Sequence, residues 1–179
     1  MYRGWALAMQ GQGKEGIAQL HQGLAAWQAT GTEMQRPHFL TLLAEAYGKV
    51  GEAEQGLAAL VEALAQVEQT GERWYEAELY RLRGELTLAQ SSVQSLASSV
   101  QKEAEECFSK AIEIARRQQA KSLELRAVMS LSRLWQQQGK RDEARQMLAE
   151  IYGWFTEGFD TKDLQEAKAL LEELEPLKN

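Results

Sequence analysis

The chain of 179 residues has little cysteine and little proline: Cys107 is its one cysteine, and Pro37 and Pro176 are its two prolines. A single cysteine excludes an internal disulfide and a cysteine-rich metal site. It lies beside Phe108 in an apolar helical stripe, which favours a buried structural thiol. Val, Ile and Thr are sparse, whereas the strong helix formers Ala, Leu, Glu and Gln are abundant. The composition therefore predicts an all-α protein.

Long hydrophobic runs and an excess of positive charge are also missing. No apolar stretch approaches the roughly 18 residues of a membrane span, and the start MYRGW lacks the basic and then apolar pattern of a signal peptide. The net charge is -6, opposite in sign to the charge with which a protein neutralises nucleic-acid phosphates. We therefore expect a cytoplasmic protein that binds neither membrane nor nucleic acid.

Residues with catalytic or metal-binding spacing are absent as well. His21 and His38 are the two histidines, and neither has the neighbours that a zinc site or a di-iron bundle requires. The glutamates between positions 103 and 106 and between 172 and 175 are typical of solvated helix faces. We therefore expect no catalytic residues, no metal site and no cofactor.

One short stretch has the form of a nucleotide-binding motif. Residues 11–16, GQGKEG, match G-x-G-x-x-G, which binds a pyrophosphate when it follows a strand within a βαβ unit. Here the preceding residues, Trp5 to Gln10, are typical of the end of a helix. The middle glycine also becomes Ala53 in a second copy 40 residues later. We interpret the stretch as a turn between two helices.

The chain contains a repeat with a period of 40 residues, which an insertion lengthens to 48 before the third copy. Residues 11–31 align with residues 51–71, and two further copies follow. Apolar residues recur three and four apart in each copy, which predicts pairs of amphipathic helices. Gly51 and its equivalents suit the turn inside a pair, and a small residue five positions later lets the two helices approach closely. These small residues are Gly16, Gly56, Ala104 and Ala144. Such a period is typical of stacked supersecondary units.

This pattern resembles the tetratricopeptide repeat, abbreviated TPR. The second copy matches it best, with Leu40, Leu43-Ala44, Tyr47, Gly51, Gly56, Leu60 and Ala63-Leu64 in the order of that repeat. The closing proline is missing, and the period of 40 residues exceeds the usual length of roughly 34. With such long units, the chain is similar to the C-terminal TPR tails of bacterial signal-transducing NTPases of the maltose-activator type and of cyclase-associated regulators.

The resemblance implies an all-α, right-handed superhelical stack of antiparallel helix pairs that forms a single domain, residues 1–179. We expect about four units of 40 residues and a C-terminal helix that caps the stack. A Ser-rich insertion, residues 89–100, is expected to form a mobile turn. Thr32 with Gln35 resembles a capping box at the start of a helix. The predicted segments are units 1–31, 32–71, 72–119 and 120–157 and a capping helix 160–175.

The resemblance also implies where a partner binds. In TPR proteins the first helix of each unit lines a concave groove that holds a peptide. The matching positions in this chain are Trp5, Met9, His38, Thr41, Glu45, Lys49, Glu78, Arg81, Glu85, Arg126, Met129, Arg133 and Gln137. The set in the third unit depends on Gly84 being the small residue of its first helix. The alternative is that all these residues are ordinary solvated positions.

The tryptophans divide into two groups. Trp27, Trp135 and Trp154 share helix faces with leucines and are expected in the core. Trp5 and Trp74 are less easily placed there. Trp74 with its neighbour Tyr75 is expected at the opening of a helix, partly exposed in a groove between units.

The local charge favours an acidic partner. Between Phe108 and Arg145 the chain has nine basic and four acidic residues.

We expect a non-catalytic module that binds a protein or peptide segment, as the regulatory tail of a larger bacterial signalling protein whose NTPase domain is one candidate partner. The alternatives are a small-molecule effector-sensing domain of a transcriptional or cyclase regulator and an enzyme that uses the groove. An enzyme requires a convergent polar cluster, for which the sequence names no residues.

Overall fold

The structure is a computed structural model that describes residues 1–90 and 98–175. In these two ranges the backbone forms nine α-helices and no strand, which confirms the predicted all-α class. The helices are α1 (Tyr2–Met9), α2 (Gly13–Ala29), α3 (Arg36–Lys49), α4 (Ala53–Thr70), α5 (Glu76–Gln90), α6 (Ser98–Arg117), α7 (Lys121–Gln137), α8 (Arg141–Tyr152) and α9 (Lys162–Glu173).

The helices form two layers of a curved stack. Each helix contacts the next along the chain. The odd-numbered helices also contact one another in sequence, α1 with α3, α3 with α5, α5 with α7 and α7 with α9. Among the described residues the even-numbered helices make no such contacts. Because only the odd-numbered helices lie close together, they form the inner layer of the curve, and α2, α4, α6 and α8 form the outer layer.

Glycine makes the turn inside a helix pair. Gly51, between α3 and α4, has φ of 80°, a left-handed conformation that is costly for residues with a Cβ atom. Its N–H donates to the Gly48 carbonyl at 3.2 Å, which satisfies a carbonyl at the helix end. Gly11 and Gly139 have φ of 89° and 81°. The turn that we predicted in GQGKEG therefore lies at Gly11 and Gln12, between α1 and α2, and the last four residues of the stretch form the start of α2.

Small residues allow the paired helices to touch. A methyl group on Gly16 would lie 2.6 Å from the backbone nitrogen of Ala8 in α1, much closer than van der Waals contact permits. A methyl group on Gly84 would likewise collide with the ring of Phe108. Gly84 is therefore the small residue at which α5 meets α6, as the predicted register required. The four small residues of the second helices are all buried: Gly16, Gly56, Ala104 and Ala144.

The apolar core runs along the stack between the layers. One cluster joins α1 to α5, and a second joins α6 to α9. Cys107 is only 7% exposed, which confirms the expected buried thiol. Helix α9 buries Leu164, Ala167 and Leu170 in the second cluster, and so does Leu174, the residue that follows it. The helix packs on α7 and α8. It therefore closes the C-terminal end of the described stack.

The predicted insertion is partly helical. Helix α5 extends to Gln90, and α6 begins at Ser98, so both ends of the predicted segment 89–100 belong to helices. The expected mobile turn falls on residues 91–97, which lie outside the described residues.

The predicted capping box of Thr32 and Gln35 is wrong. Gln35 precedes α3 with φ of 63°, and its side chain makes no capping hydrogen bond. Instead its backbone N–H donates to both carboxylate oxygens of Glu72, at 3.0 and 2.9 Å. Glu72 lies 37 residues away, so local spacing could not reveal this contact.

Replacement of a core leucine tests the packing between layers. Leu60→Ala removes a side chain with no exposed surface, and we expect it to lower the free energy of unfolding by roughly 2 to 5 kcal/mol because it leaves a cavity. Val61→Ala is the matched control, since Val61 is the next residue of α4 and is 64% exposed. We expect it to stay within about 0.5 kcal/mol of wild type. Equal urea midpoints for the two variants would contradict the packing described here.

Candidate functional site

A groove of about 340 Å³ opens on the inner layer, between α3, α5, α7 and α9. Seven of the thirteen predicted partner-binding residues line it: Glu45, Lys49, Arg81, Glu85, Arg126, Met129 and Arg133. The walls carry both positive and negative side chains. Residues separated by almost 90 positions in the sequence thus share one surface, because the inner helices lie side by side.

Buried ion pairs form the floor of this groove. Arg81, which is 6% exposed, donates to the two oxygens of Glu78 at 2.9 and 2.6 Å and to Glu85 at 2.5 Å. The Ser130 hydroxyl donates to Glu85 at 2.8 Å. Arg126 Nη2 lies 2.9 Å from Glu78 Oε1. Since Ser130 and Arg126 belong to α7, the network ties α7 to α5.

Two residues at or beside this floor, Arg81 and Tyr75, have shifted pKa values. Burial lowers the pKa of Arg81, but its ion pairs with Glu78 and Glu85 outweigh that effect and raise the pKa above its ordinary value. Burial, together with the Glu78 carboxylate, raises the pKa of Tyr75 to about 12, although Arg126 opposes the shift. The guanidinium of Arg81 therefore stays charged and the Tyr75 phenol stays neutral.

The rim of the groove carries exposed charges. Arg133, whose side chain is 44% exposed, approaches Glu166 at 3.4 Å, and Lys162 approaches the same carboxylate at 3.5 Å. Lys49 is exposed and lies within ion-pair distance of no carboxylate in the described residues. Glu45 accepts a hydrogen bond from the Trp5 indole at 2.7 Å. The rim thus offers cations that solvent or a partner can reach.

The other six predicted residues do not line the groove: Trp5, Met9, His38, Thr41, Glu78 and Gln137. Thr41 is buried and donates to the Pro37 carbonyl at 2.8 Å. Met9 packs against the first core cluster, and Gln137 is exposed at the end of α7. His38 lies among aromatic rings near the loops between units. Trp5 and Glu78 instead bind residues that do line the groove.

Sequence reasoning missed the part that α9 plays in the groove. Lys162, Asp163 and Glu166 line one wall, although we expected α9 only to cap the stack. Helix α9 contacts α7 as α7 contacts α5, so it occupies the place of another inner helix. The signal was available, because aligning α9 with the first helix of a unit would have placed its polar residues on the inner face.

The local excess of positive charge is largely neutralised within the protein. Seven of the nine basic side chains between Phe108 and Arg145 form ion pairs. Glu124, which is 3% exposed, binds both Arg116 and Lys121 at 2.7 Å. Most of these cations therefore have a carboxylate partner within the protein, and Arg133 contributes exposed charge to the rim of the groove.

A second notable surface is aromatic. His38 lies 5.2 Å from the Trp74 ring and 4.7 Å from the Tyr75 ring, measured between centroids. Trp74 is 51% exposed, as expected, and it lies two residues before the start of α5. Trp27 and Trp135 pack against the core, but Trp154 is 58% exposed. The expectation of a buried Trp154 is therefore wrong, because the residue follows α8 instead of lying on its apolar face.

Known proteins with this architecture carry TPR-like repeats. A crystal structure from Podospora anserina, described as a candidate kinesin light chain with nearly identical TPR-like repeats, superposes with a TM-score of 0.67 at 18% identity, covering 97% of this chain and 82% of that one. The crystal structure of a variant of that protein superposes with a TM-score of 0.65 at 19% identity, covering 97% of this chain and 90% of the variant. The fold is a TPR-like repeat solenoid. No protein-family model and no curated protein matches the chain significantly.

The described part of this TPR-like solenoid lacks two kinds of feature. No helix there has the length and hydrophobicity that a membrane crossing demands. No three His, Cys, Asp or Glu side chains there are grouped so that they could hold a metal ion.

Removal of Glu78 tests the network under the groove. Glu78→Ala takes the shared carboxylate from Arg81 and Arg126, and we expect the free energy of unfolding to fall by roughly 1 to 3 kcal/mol because the buried Arg81 guanidinium loses one of its two carboxylate partners. Glu113→Ala is the control, since Glu113 is 59% exposed and pairs with exposed Lys110. Its cost should stay below about 1 kcal/mol. Similar urea midpoints for both variants would contradict a buried network.

The half-buried imidazole of His38 makes stability depend on pH. Burial lowers the pKa of His38 below its ordinary 6.5, and the Glu72 carboxylate opposes this effect only in part. As pH falls below 6.5, the unfolded chain therefore takes up a proton that the folded protein resists, and the free energy of unfolding decreases. His38→Gln should lose less stability than wild type between about pH 7 and pH 5.5. Parallel pH profiles from chemical unfolding would refute this assignment.

Proposed function

We propose that the chain is a non-catalytic module that binds a protein segment in the groove of its inner layer. The observation that carries this proposal is the contrast between the floor and the rim. The floor is a network of buried ion pairs that is already complete, whereas the rim presents the exposed cations Lys49 and Arg133. A preformed floor lowers the entropic cost of binding because few side chains must be ordered by the partner.

The rim favours acidic side chains in the bound segment. A carboxylate can bind Lys49 without displacing an existing ion pair of the described residues, and such charge-assisted hydrogen bonds are stronger than neutral ones. At Arg133 the incoming carboxylate competes with a single contact of 3.4 Å to Glu166. Glu45 and Asp163, which also line the groove, repel an acidic residue at other positions. The partner is therefore a segment with acidic residues at defined places.

The floor is poorly suited to acid-base chemistry. General acid-base catalysis needs a group that gains and loses a proton near the working pH. Glu78 and Glu85 both accept hydrogen bonds from Arg81, so each carboxylate is already paired within the protein. One observation favours a second candidate, a small anionic effector. The volume of about 340 Å³ falls within the range of ligand pockets, although such pockets are usually lined by apolar side chains.

We also propose that the module acts within a larger bacterial signalling protein and that the segment it binds belongs to an NTPase domain of the same chain. The support is the similarity of its long repeats to the TPR tails of such regulators. Sequencing the gene upstream of the codon for Met1 tests this part of the proposal. An NTPase domain in the same reading frame is the expected result, and its absence would contradict the proposal of an intramolecular partner.

Reversal of two rim charges tests the groove. We expect peptides selected from a random library on the immobilised protein to contain acidic residues. Their affinity for the variant Lys49→Glu/Arg133→Glu should fall at least tenfold, because each substitution replaces an attraction by a repulsion. Isothermal titration calorimetry gives the dissociation constants. Arg126 is left unchanged because a glutamate there would face the buried carboxylate of Glu78 and destabilise the fold.

The matched control is Lys14→Glu/Arg145→Glu. It makes the same change in net charge at exposed positions of the outer helices α2 and α8. Peptide affinity should be unchanged in this control. Equal losses in the two variants would show that only net charge matters and would overturn the groove assignment. A lower dissociation constant for a small anion than for any selected peptide would favour the effector candidate. Hydrolysis of ATP by the purified chain would refute the non-catalytic assignment.

A further inference from the structure

A second cavity lies where two loops between helix pairs meet. It has a volume of about 480 Å³ and is lined by Met34, Gln35, Thr70, Glu72 and Trp74. These residues belong to the α2–α3 and α4–α5 connections or flank them, whereas the groove proposed above is lined by residues of α3, α5, α7 and α9. The two sites share no residue, so this cavity can act independently of the groove.

The indole of Trp74 is both exposed and held in place. Its Nε1–H donates to Glu72 Oε1 at 2.8 Å. The rings of His38 and Tyr75 lie 5.2 and 5.0 Å from the indole, measured between centroids. Even so, the residue remains 51% exposed. An aromatic side chain fixed in this way presents contact area at little entropic cost.

Glu72 adds a negative charge beside this indole. It forms no ion pair with any of the described residues, although its oxygens accept hydrogen bonds from Trp74 and from the backbone of Gln35. The nearby cations have other partners. Arg36 pairs with Glu62, and Arg73 pairs with Glu68 and Glu76. The cavity therefore combines an uncompensated carboxylate with an exposed aromatic ring.

Two other tryptophans of this protein have a lysine cation over the ring. Lys121 Nζ lies over the ring of Trp154, 5.8 Å from its centroid. Lys140 Nζ lies over the ring of Trp135 at 5.6 Å. In the described residues no lysine or arginine lies over Trp74 in this way. Since cations are attracted to the negative face of an indole, Trp74 is an exposed tryptophan whose cation must come from another molecule.

We propose that Trp74 and Glu72 form a pocket for a cationic side chain, an arginine or a lysine, of a partner protein. The cation packs on the exposed face of the indole and pairs with the Glu72 carboxylate, while the thioether of Met34, which is 67% exposed, contacts the aliphatic part of the side chain. Arginine is favoured over lysine because its planar guanidinium stacks on the indole and still donates hydrogen bonds to the carboxylate.

Titration with a capped Gly-Arg-Gly tripeptide tests the pocket. The five tryptophans give separate indole N–H signals in a nitrogen-15 correlation spectrum, and Trp74→Phe assigns the signal of Trp74. We expect a saturable shift of this signal with a dissociation constant on the order of millimolar. The isosteric peptide with citrulline in place of arginine, which lacks the charge, should bind at least fivefold more weakly because the interaction with the indole and the carboxylate depends on charge.

Two variants test the carboxylate and the indole separately. Glu72→Gln should weaken binding of the arginine peptide at least fivefold. Trp74→Leu lacks the indole signal, so the backbone N–H signals of Gln35 and Glu72 are followed instead, and they should show no saturable shift. Trp154→Leu, which removes a tryptophan of similar exposure, should bind as wild type does, and so should the groove variant Lys49→Glu/Arg133→Glu. The comparison of arginine with citrulline on the wild-type protein does not depend on any variant folding. No shift of the Trp74 signal up to about 10 mM peptide, equal binding of citrulline, or unchanged binding to folded Glu72→Gln would overturn the proposal.

Discussion

Close contact between paired helices is the constraint on which the rest of this structure depends. Gly16 and Gly84 lie where a methyl group would strike the backbone of Ala8 or the ring of Phe108. Successive inner helices also touch one another, whereas in the ranges that the structure describes the outer helices do not. This difference between the layers produces the curve of the stack, and the curve produces the groove.

Charge is used differently at the floor and at the rim of that groove. Glu78 and Arg81 are almost fully buried, and such groups are tolerated only when they are paired and hydrogen-bonded. Their pairing keeps the floor charged but internally satisfied, and the contacts of Arg126 with Glu78 and of Ser130 with Glu85 tie α7 to α5. The rim residues Lys49 and Arg133 carry charges that remain exposed. A surface of this kind suits a partner that brings complementary charge.

The aromatic pocket arises from the same stacking of units at another place. Glu72 bridges two successive loops because their helix pairs lie side by side, and its carboxylate orients Trp74 as well as the backbone of Gln35. The loops of a solenoid repeat along one edge, so each pair of neighbouring loops can form such a site when its side chains allow. At this pair of loops the side chains are an exposed indole, a thioether and a carboxylate, supplied by Trp74, Met34 and Glu72.

Local spacing in the sequence was sufficient to predict the all-α class, the helix pairs, the turn at Gly51, the small residues at the contacts and a buried Cys107, because each depends on residues close together in the chain. Seven of the predicted residues also line the groove, since the repeat places equivalent positions on one face. Tertiary structure alone decided that Glu72 replaces a local cap, that α9 supplies a wall of the groove, that Glu78 neutralises Arg126 and that Trp154 is exposed. These outcomes depend on contacts between residues distant in sequence or on exposure, and both follow from how the helices stack.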